Sequence, residues 1–195
     1  EKAYWLGFMF ADGNIGKDRN SIELSLSSKD YEHMLKFKNF LQYNDDLKVT
    51  NTNFINSKRV RLLFSSKRIH DTLNIYGCVP QKSLILRFPK IEIFKDTTLV
   101  KDYIRGYVDG DGCLSYLDKS HKAPNITIIG TKQFLEELLK YIPIKANVNK
   151  RNNVYILNIS RKKAYNLSNY IYSNCTIYLE RKYLRYKEYC RLYQG

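Results

Sequence analysis

Two carboxylates, Asp12 and Asp111, each followed directly by glycine, close two similar apolar segments. These read Trp5-Leu6-Gly7-Phe8-Met9-Phe10-Ala11-Asp12-Gly13 and Ile104-Arg105-Gly106-Tyr107-Val108-Asp109-Gly110-Asp111-Gly112. Small residues sit four apart in each, Gly7 with Ala11 and Gly106 with Gly110. Such a pair shares one helical face and lets a second helix approach closely, which makes these four residues the expected helix interface. Gly13 and Gly112 stand where glycine usually follows a helix end, so the acids fall at helix C-termini. A carboxylate there is unfavourable, because the helix end carries about half a negative charge and unpaired carbonyls. Two such ends side by side repel, and a divalent cation such as Mg²⁺, which takes hard oxygen ligands, resolves the conflict. A lone Asp-Gly simply ends a helix; recurrence is what points to chemistry. One acid per copy on a basic protein suggests hydrolysis on both strands of a nucleic acid, with metal near the attacking and leaving oxygens.

The elements that must carry these acids also recur. Asp12 and Asp111 lie 99 positions apart in a chain of 195, as two tandem copies would place them. Ser21 to Leu26 alternates like a half-buried strand and leads through Ser28 into a helix with Tyr31, Met34, Leu35 and Leu41; Asn125 to Ile128 leads through Thr131 into Phe134, Leu135, Leu138, Leu139 and Ile142. Ser28 and Thr131 are the expected N-caps. Strands at Arg59 to Phe64 and Val154 to Ile159 follow, then short helices through Ile69 and Leu73 and through Ala164 and Leu167. Lys82 and Lys182 then match at an offset of 100. Each half reads helix, two strands, helix, two strands, helix, an α+β class of two αββαββα repeats. Pro89 and the segment 94–98 break both periodicities, with Thr97 or Thr98 as the cap of the second signature helix. The expected repeats are 1–94 and 95–195, and 179–193 reads as a closing helix rich in Arg, Lys and Tyr.

Composition bounds the partner. Lys and Arg outnumber Asp and Glu, giving a formal net charge of +14. Such an excess costs self-repulsion and suits a polyanion, above all nucleic acid rather than an anionic membrane surface. No stretch approaches the roughly 20 apolar residues that span a bilayer, and no signal peptide opens the chain. Cys78, Cys113, Cys175 and Cys190 form no C-x-x-C pair and the three histidines are scattered, which argues against structural zinc. Reduced thiols in an intracellular protein are expected, with cytoplasm, nucleoid and organelle matrix equally compatible.

The wording of both signature segments, small-Gly-apolar-apolar-x-small-Asp-Gly, resembles the LAGLIDADG homing endonucleases of the single-chain, two-repeat type. Phe10 stands where the second copy has the extra acid Asp109. The resemblance spans nearly the whole chain and implies a monomeric, site-specific DNA endonuclease with a saddle-shaped antiparallel sheet. It would cut one phosphodiester per strand across the minor groove and leave short 3′ overhangs. It implies Asp12 and Asp111 as metal ligands, joined by the carbonyls of Ala11 and Gly110, and Lys82 and Lys182 as the basic residues that position water and stabilise the transition state. Mg²⁺ is the implied metal, with Mn²⁺ substituting and Ca²⁺ supporting binding without cleavage.

Strand alternation says where double-stranded DNA would lie. Burying Ile22, Leu24 and Leu26 sends Ser21, Glu23 and Ser25 to the opposite face, and burying Val60, Leu62 and Phe64 presents Arg59 and Arg61. Such a polar, basic sheet face matches a major groove. The first-half candidates are Lys17, Arg19, Glu23, Ser25, Lys48, Thr50, Thr52, Arg59 and Arg61. The second-half candidates are Lys119, Lys122, Thr127, Asn147, Asn149, Lys150, Arg151 and Asn153. Many such residues touch phosphate alone. The halves differ at nearly every exposed position, so a long, asymmetric target follows. Two other functions fit the same elements: an RNA maturase that helps an intron fold, and a noncatalytic DNA-binding regulator.

Overall fold

The computed structural model describes residues 1–17, 19–52 and 58–193. Its chain order is helix α1 (Lys2–Ala11), strands β1 (Gly13–Ile15) and β2 (Ser21–Ser27), helix α2 (Tyr31–Phe40), strands β3 (Lys48–Asn51) and β4 (Lys58–Ser65), and helix α3 (Lys67–Ile75). The pattern then repeats as α4 (Leu99–Asp111), β5 (Gly112–Tyr116), β6 (Pro124–Gly130), α5 (Lys132–Leu138), β7 (Val148–Arg151), β8 (Val154–Ser160) and α6 (Lys162–Tyr172), closed by α7 (Glu180–Tyr193). The α+β class and the doubled helix-strand-strand order are as the sequence implies. Two four-stranded antiparallel sheets result, ordered β1-β2-β4-β3 and β5-β6-β8-β7.

The register follows the alternation. Leu24 pairs with Leu62 and Leu26 with Val60, all four buried, while Ser25 pairs with Arg61 on the other face. In the second sheet Ile128 pairs with Leu157 and Ile126 with Ile159, again buried. Against these inner faces pack helices whose apolar stripes carry Met34 and Phe37 from α2, Phe134, Leu135 and Leu138 from α5, and Ala164, Leu167 and Ile171 from α6. Burying an aliphatic or aromatic side chain of this kind contributes about 1.5–3 kcal/mol. Helix α1 is apolar on most sides, as suits a central helix, while α4 carries Lys101, Asp102, Arg105, Asp109 and Asp111 among its apolar residues; Tyr4, Phe8, Phe10, Tyr103, Ile104 and Val108 have zero exposure. The two helices pack against each other in the middle of the molecule.

Two local expectations change, both at helix caps. Each half holds its three expected helices, α1, α2 and α3 and then α4, α5 and α6, and Lys82 follows α3 in a 3₁₀ turn, Lys82–Leu84, entered through Gln81 in the left-handed region at φ 56°. Pro80 and the short apolar run after it do not sustain a helical stripe, and Leu84 and Ile85 are exposed. Thr131 caps α5, its hydroxyl accepting from the Phe134 amide at 3.1 Å. Ser28 does not cap α2, because a 3₁₀ turn, Ser28–Asp30, precedes that helix and Ser27 caps the turn. Neither Thr97 nor Thr98 caps α4 through its side chain; Asp96 does the work, its carboxylate accepting from the Thr98 amide at 2.8 Å.

Candidate active site

The crossing of α1 and α4 is built from missing side chains. A Cβ on Gly7 would lie 1.9 Å from the Tyr103 carbonyl oxygen, and a Cβ on Gly106 would lie 1.9 Å from that of Tyr4. The contact is reciprocal, residue 4 answering 103 and 7 answering 106, so a local twofold relation runs through the crossing. One turn on, a Cβ at Gly110 would fall 2.3 Å from the Ala11 Cβ and 3.3 Å from Asp12 Oδ2. The four small residues therefore form one interface, and it delivers Asp12 to the end of the neighbouring helix.

Asp12 and Asp111 keep an exposed edge while protein groups close around their carboxyls. That desolvation, and next the charge of Asp111, push the Asp12 carboxyl up to about 6 against the opposing pull of Lys182, Lys82 and Arg181. Asp111 is raised as well, by desolvation, with the charges of Lys82 and Lys182 acting in the other direction. Each acid feels both lysines, so the fold gathers the four residues singled out by their spacing around one point.

Both lysines are buried, and both reach backbone carbonyls at the ends of the signature segments. Lys82 Nζ donates to the carbonyl of Gly13. Lys182 Nζ donates to three, those of Val108 at 2.8 Å, Asp109 at 2.6 Å and Gly110 at 3.1 Å, and so neutralises the negative end of α4. Burial pushes the Lys182 ammonium down to about 8, with Asp109 the largest opposing influence, ahead of Asp12 and Asp111. The Gly110 carbonyl thus shares its lone pairs with Lys182, while a second acceptor site remains on that oxygen.

The donor set fits a hard divalent cation. Two carboxylates held where desolvation and mutual repulsion disfavour their charge gain most from a cation between them. Among the described residues no cluster of three or more His, Cys, Asp or Glu side chains gathers. A metal sphere here would take Asp12 and Asp111 as its carboxylate ligands and be completed by carbonyl, water and phosphate oxygens, as Mg²⁺ prefers.

The outer sheet faces hold most of the groove candidates. Glu23, Ser25, Arg59, Arg61, Lys48 and Thr50 share one face of the first sheet, since Ser25 and Lys48 both pair with Arg61 and Thr50 pairs with Arg59. Thr52 follows that sheet's edge strand. Glu23 and Arg61 are already joined, Nε to Oε1 at 2.7 Å and Nη2 to Oε2 at 2.9 Å. Lys17 and Arg19 are exposed beside the β1–β2 turn, and Lys119 and Lys122 are exposed in the β5–β6 turn. In the second sheet Thr127 bonds Asn158 across the strands at 3.3 Å, and Asn149 and Arg151 lie on the same outer face. Asn147 precedes β7 and Asn153 sits in the β7–β8 turn. Lys150 is the exception: it pairs with Tyr155, which alternates with Ile156 onto the helix-covered side. Adjacent strand residues point opposite ways, so Asn149, Lys150 and Arg151 cannot all face one groove.

The sequence assigns no role to Arg181 or to the extra acid Asp109. Arg181 borders both a 240 Å³ cavity with Gly110, Lys182 and Arg185 and a 600 Å³ cleft with Asp12, Asn14, Glu23 and Arg59. Its Nε bonds both oxygens of buried Asp30 at 3.1 and 3.2 Å, tying the last helix to the first half. Position 181, next to the matched lysine, was the available signal. Asp109 is wholly buried, and nothing in the motif tells a buried acid from an exposed one.

In sequence the chain matches no family model and no curated relative. In structure it matches many solved chains. The I-LtrWI LAGLIDADG homing endonuclease bound to target DNA superposes with a TM-score of 0.65 at 11% identity, covering 98% of this chain and 89% of that one. The LAGLIDADG meganuclease I-AabMI bound to uncleaved DNA gives 0.60 at 13% identity, over 100% and 90%. The N-terminal LAGLIDADG domain of DUF199/WhiA gives 0.57 at 15% identity, over 93% and 85%. The fold is that of the LAGLIDADG proteins in their two-repeat, single-chain form. Among the described residues no helix is long and apolar enough to cross a membrane.

Proposed function

We propose that the chain is a site-specific DNA endonuclease that acts as a monomer and hydrolyses one phosphodiester in each strand of a long, asymmetric duplex target. The observation that carries this reading is the meeting of Asp12, Asp111, Lys82 and Lys182 at the α1–α4 crossing, beside a basic outer sheet face. Fold neighbours bound to DNA support the partner. Asp12 and Asp111, with the carbonyls of Ala11 and Gly110, would hold Mg²⁺, which when bound lowers the pKa of coordinated water and offsets charge on the phosphate. Mn²⁺ would replace it, and Ca²⁺ would support binding without cleavage. Lys82 and Lys182 lie within the field of both acids, where an ammonium stabilises the charge that builds on phosphoryl oxygens during displacement. Glu23 fixes Arg61 through its Nε side and leaves the Nη edge for a guanine, so the first half reads a base that the Thr127–Asn158 pair of the second half does not.

Selection of cleaved sequences from a randomised duplex library in Mg²⁺ tests the proposal. Enrichment of one long, nonpalindromic sequence is expected. Intact duplexes together with tight, selective RNA binding would assign the chain to intron folding, and duplex binding without cleavage at any metal would assign it to regulation.

A further inference from the structure

The twofold relation of the signature helices is broken at one buried point. Asp109 and Phe10 are equivalent, each one turn past the crossing glycine, and both have zero exposure. The Asp109 carboxylate accepts from Tyr4 Oη at 2.7 Å, Tyr172 Oη at 2.6 Å and the Leu179 amide at 2.8 Å. The Leu179 carbonyl in turn accepts from the amides of Lys182 and Tyr183, both at 3.0 Å. An unbroken path therefore runs from Asp109 through the first turn of α7 to Lys182, whose ammonium returns to the Asp109 carbonyl. Among the described residues the first half has no counterpart of this path. Phe10 offers no acceptor, and Tyr103, the counterpart of Tyr4, has a buried hydroxyl without a hydrogen-bond partner and packs its ring edge-on against Phe10 at 5.4 Å. Lys82 rides a three-residue 3₁₀ turn and donates to one carbonyl where Lys182 donates to three.

We propose that Asp109 is a positioning residue that holds Lys182 at the end of α4, and that the two halves are consequently unequal, the strand served by Lys182 being cut faster than the strand served by Lys82. The statement about strands rests on the nuclease reading above; the statement about position does not. Reacting groups held in place by such a shell are sensitive to small displacements, because an error of about 1 Å costs on the order of a hundredfold in rate. A side chain fixed by a buried carboxylate with three hydrogen bonds has less freedom to drift than one hung from a single turn.

Two measurements test it. The first is lysine acylation of the metal-free protein followed by mass spectrometry. Lys182 is expected to label more slowly than Lys82, and Asp109→Asn to raise the Lys182 rate alone; Tyr172→Phe, which keeps the carboxylate and removes one donor, should do the same to a smaller degree. The second is strand-resolved cleavage of a duplex labelled differently at each 5′ end. Lys82→Met and Lys182→Met identify the strand that depends on each lysine, and Asp109→Asn should slow the Lys182-dependent strand by about tenfold to a hundredfold, with the other strand changed by less than about twofold. Unchanged Lys182 labelling in both variants overturns the positioning role, as does equal slowing of the two strands. Altered labelling in a protein that cuts no duplex upholds the position and rejects the nuclease reading along with the strand bias.

Discussion

Tyr4 and Tyr103 occupy the same place in the two halves and meet different surroundings. The Tyr4 hydroxyl donates to Asp109 and lies 3.1 Å from His33 Nε2, whereas the Tyr103 hydroxyl is buried without a partner. A hydrogen bond to a buried charge is worth about 1.5–3 kcal/mol, and an unsatisfied buried hydroxyl costs about 1–3 kcal/mol. Tyr4→Phe should therefore lower stability by about 2 kcal/mol and Tyr103→Phe leave it unchanged or raise it by about 1 kcal/mol. Denaturant melts of the two variants decide this, and equal losses would show that the two environments are the same. His33, in the same cluster, has its pKa pushed from 6.5 down to about 3 by burial and by the nearby positive charges of Lys36 and Arg181. A folded-state pKa below the unfolded one means that the unfolded chain binds the proton first. Stability from a neutral His33 is complete above about pH 6.5 and falls by about 1.4 kcal/mol per unit as the pH drops toward 3. Asp109, whose carboxyl burial raises, acts in the opposite sense, so the comparison is between wild type and His33→Gln, in which the Asp109 contribution cancels. Wild type should lose stability faster than the variant between pH 6.5 and 4.5; parallel profiles would show that His33 takes up its proton in the folded protein.

At the level of elements, the α1–α4 crossing sets where everything else can stand. Gly106→Ala places a methyl carbon 1.9 Å from the Tyr4 carbonyl oxygen, a backbone atom that a side-chain rotation cannot move aside. The helices must separate, at a cost on the order of 3 kcal/mol, and the acids beyond them shift apart. Calorimetry of Gly106→Ala should show a correspondingly lower melting temperature, and an unchanged one would mean that the helices do not touch there. This crossing was legible in the sequence because small residues four apart and a terminal Asp-Gly are both rules of helix geometry. The outer sheet face was legible for the same kind of reason, the alternation of Ile22, Leu24 and Leu26 with Glu23 and Ser25. Elements specified by capping and short contacts were harder to read. Ser27 and Asp96 took the capping roles expected of Ser28 and Thr97 or Thr98, since several polar residues compete at those ends. The closing helix of each repeat was legible from its apolar spacing, Ile69 and Leu73 in α3 and Ala164 and Leu167 in α6.

Across the whole molecule the doubled architecture is close to symmetric in backbone and far from symmetric in charge. The second half buries Arg105, Asp109 and Lys182, whereas the positions matching the first two in the first half are Leu6 and Phe10. Arg105 is spent on the carbonyls of Ile171 and Ile177 and on Asp102, so it braces the second half and does not face nucleic acid. Periodicity cannot reveal such a brace, because a charge on an otherwise apolar helix looks the same whether it is solvated or enclosed. The remaining positive charge is spread over helices, turns and outer strands, and the formal net charge of +14 predicts steep salt dependence of duplex binding. Each phosphate neutralised contributes about 0.9 to the slope of log affinity against log salt, and Lys48→Ala or Arg59→Ala should lower that slope by about 1 each if the residue touches phosphate. A slope near zero in the wild type would deny a polyanionic partner. The most direct test of the central account is Asp111→Asn, assayed for cleavage of the selected duplex in Mg²⁺ and for its binding in Ca²⁺. The account predicts that both strands stay intact while affinity changes by less than about threefold, or about 0.7 kcal/mol; cleavage at the wild-type rate would contradict it.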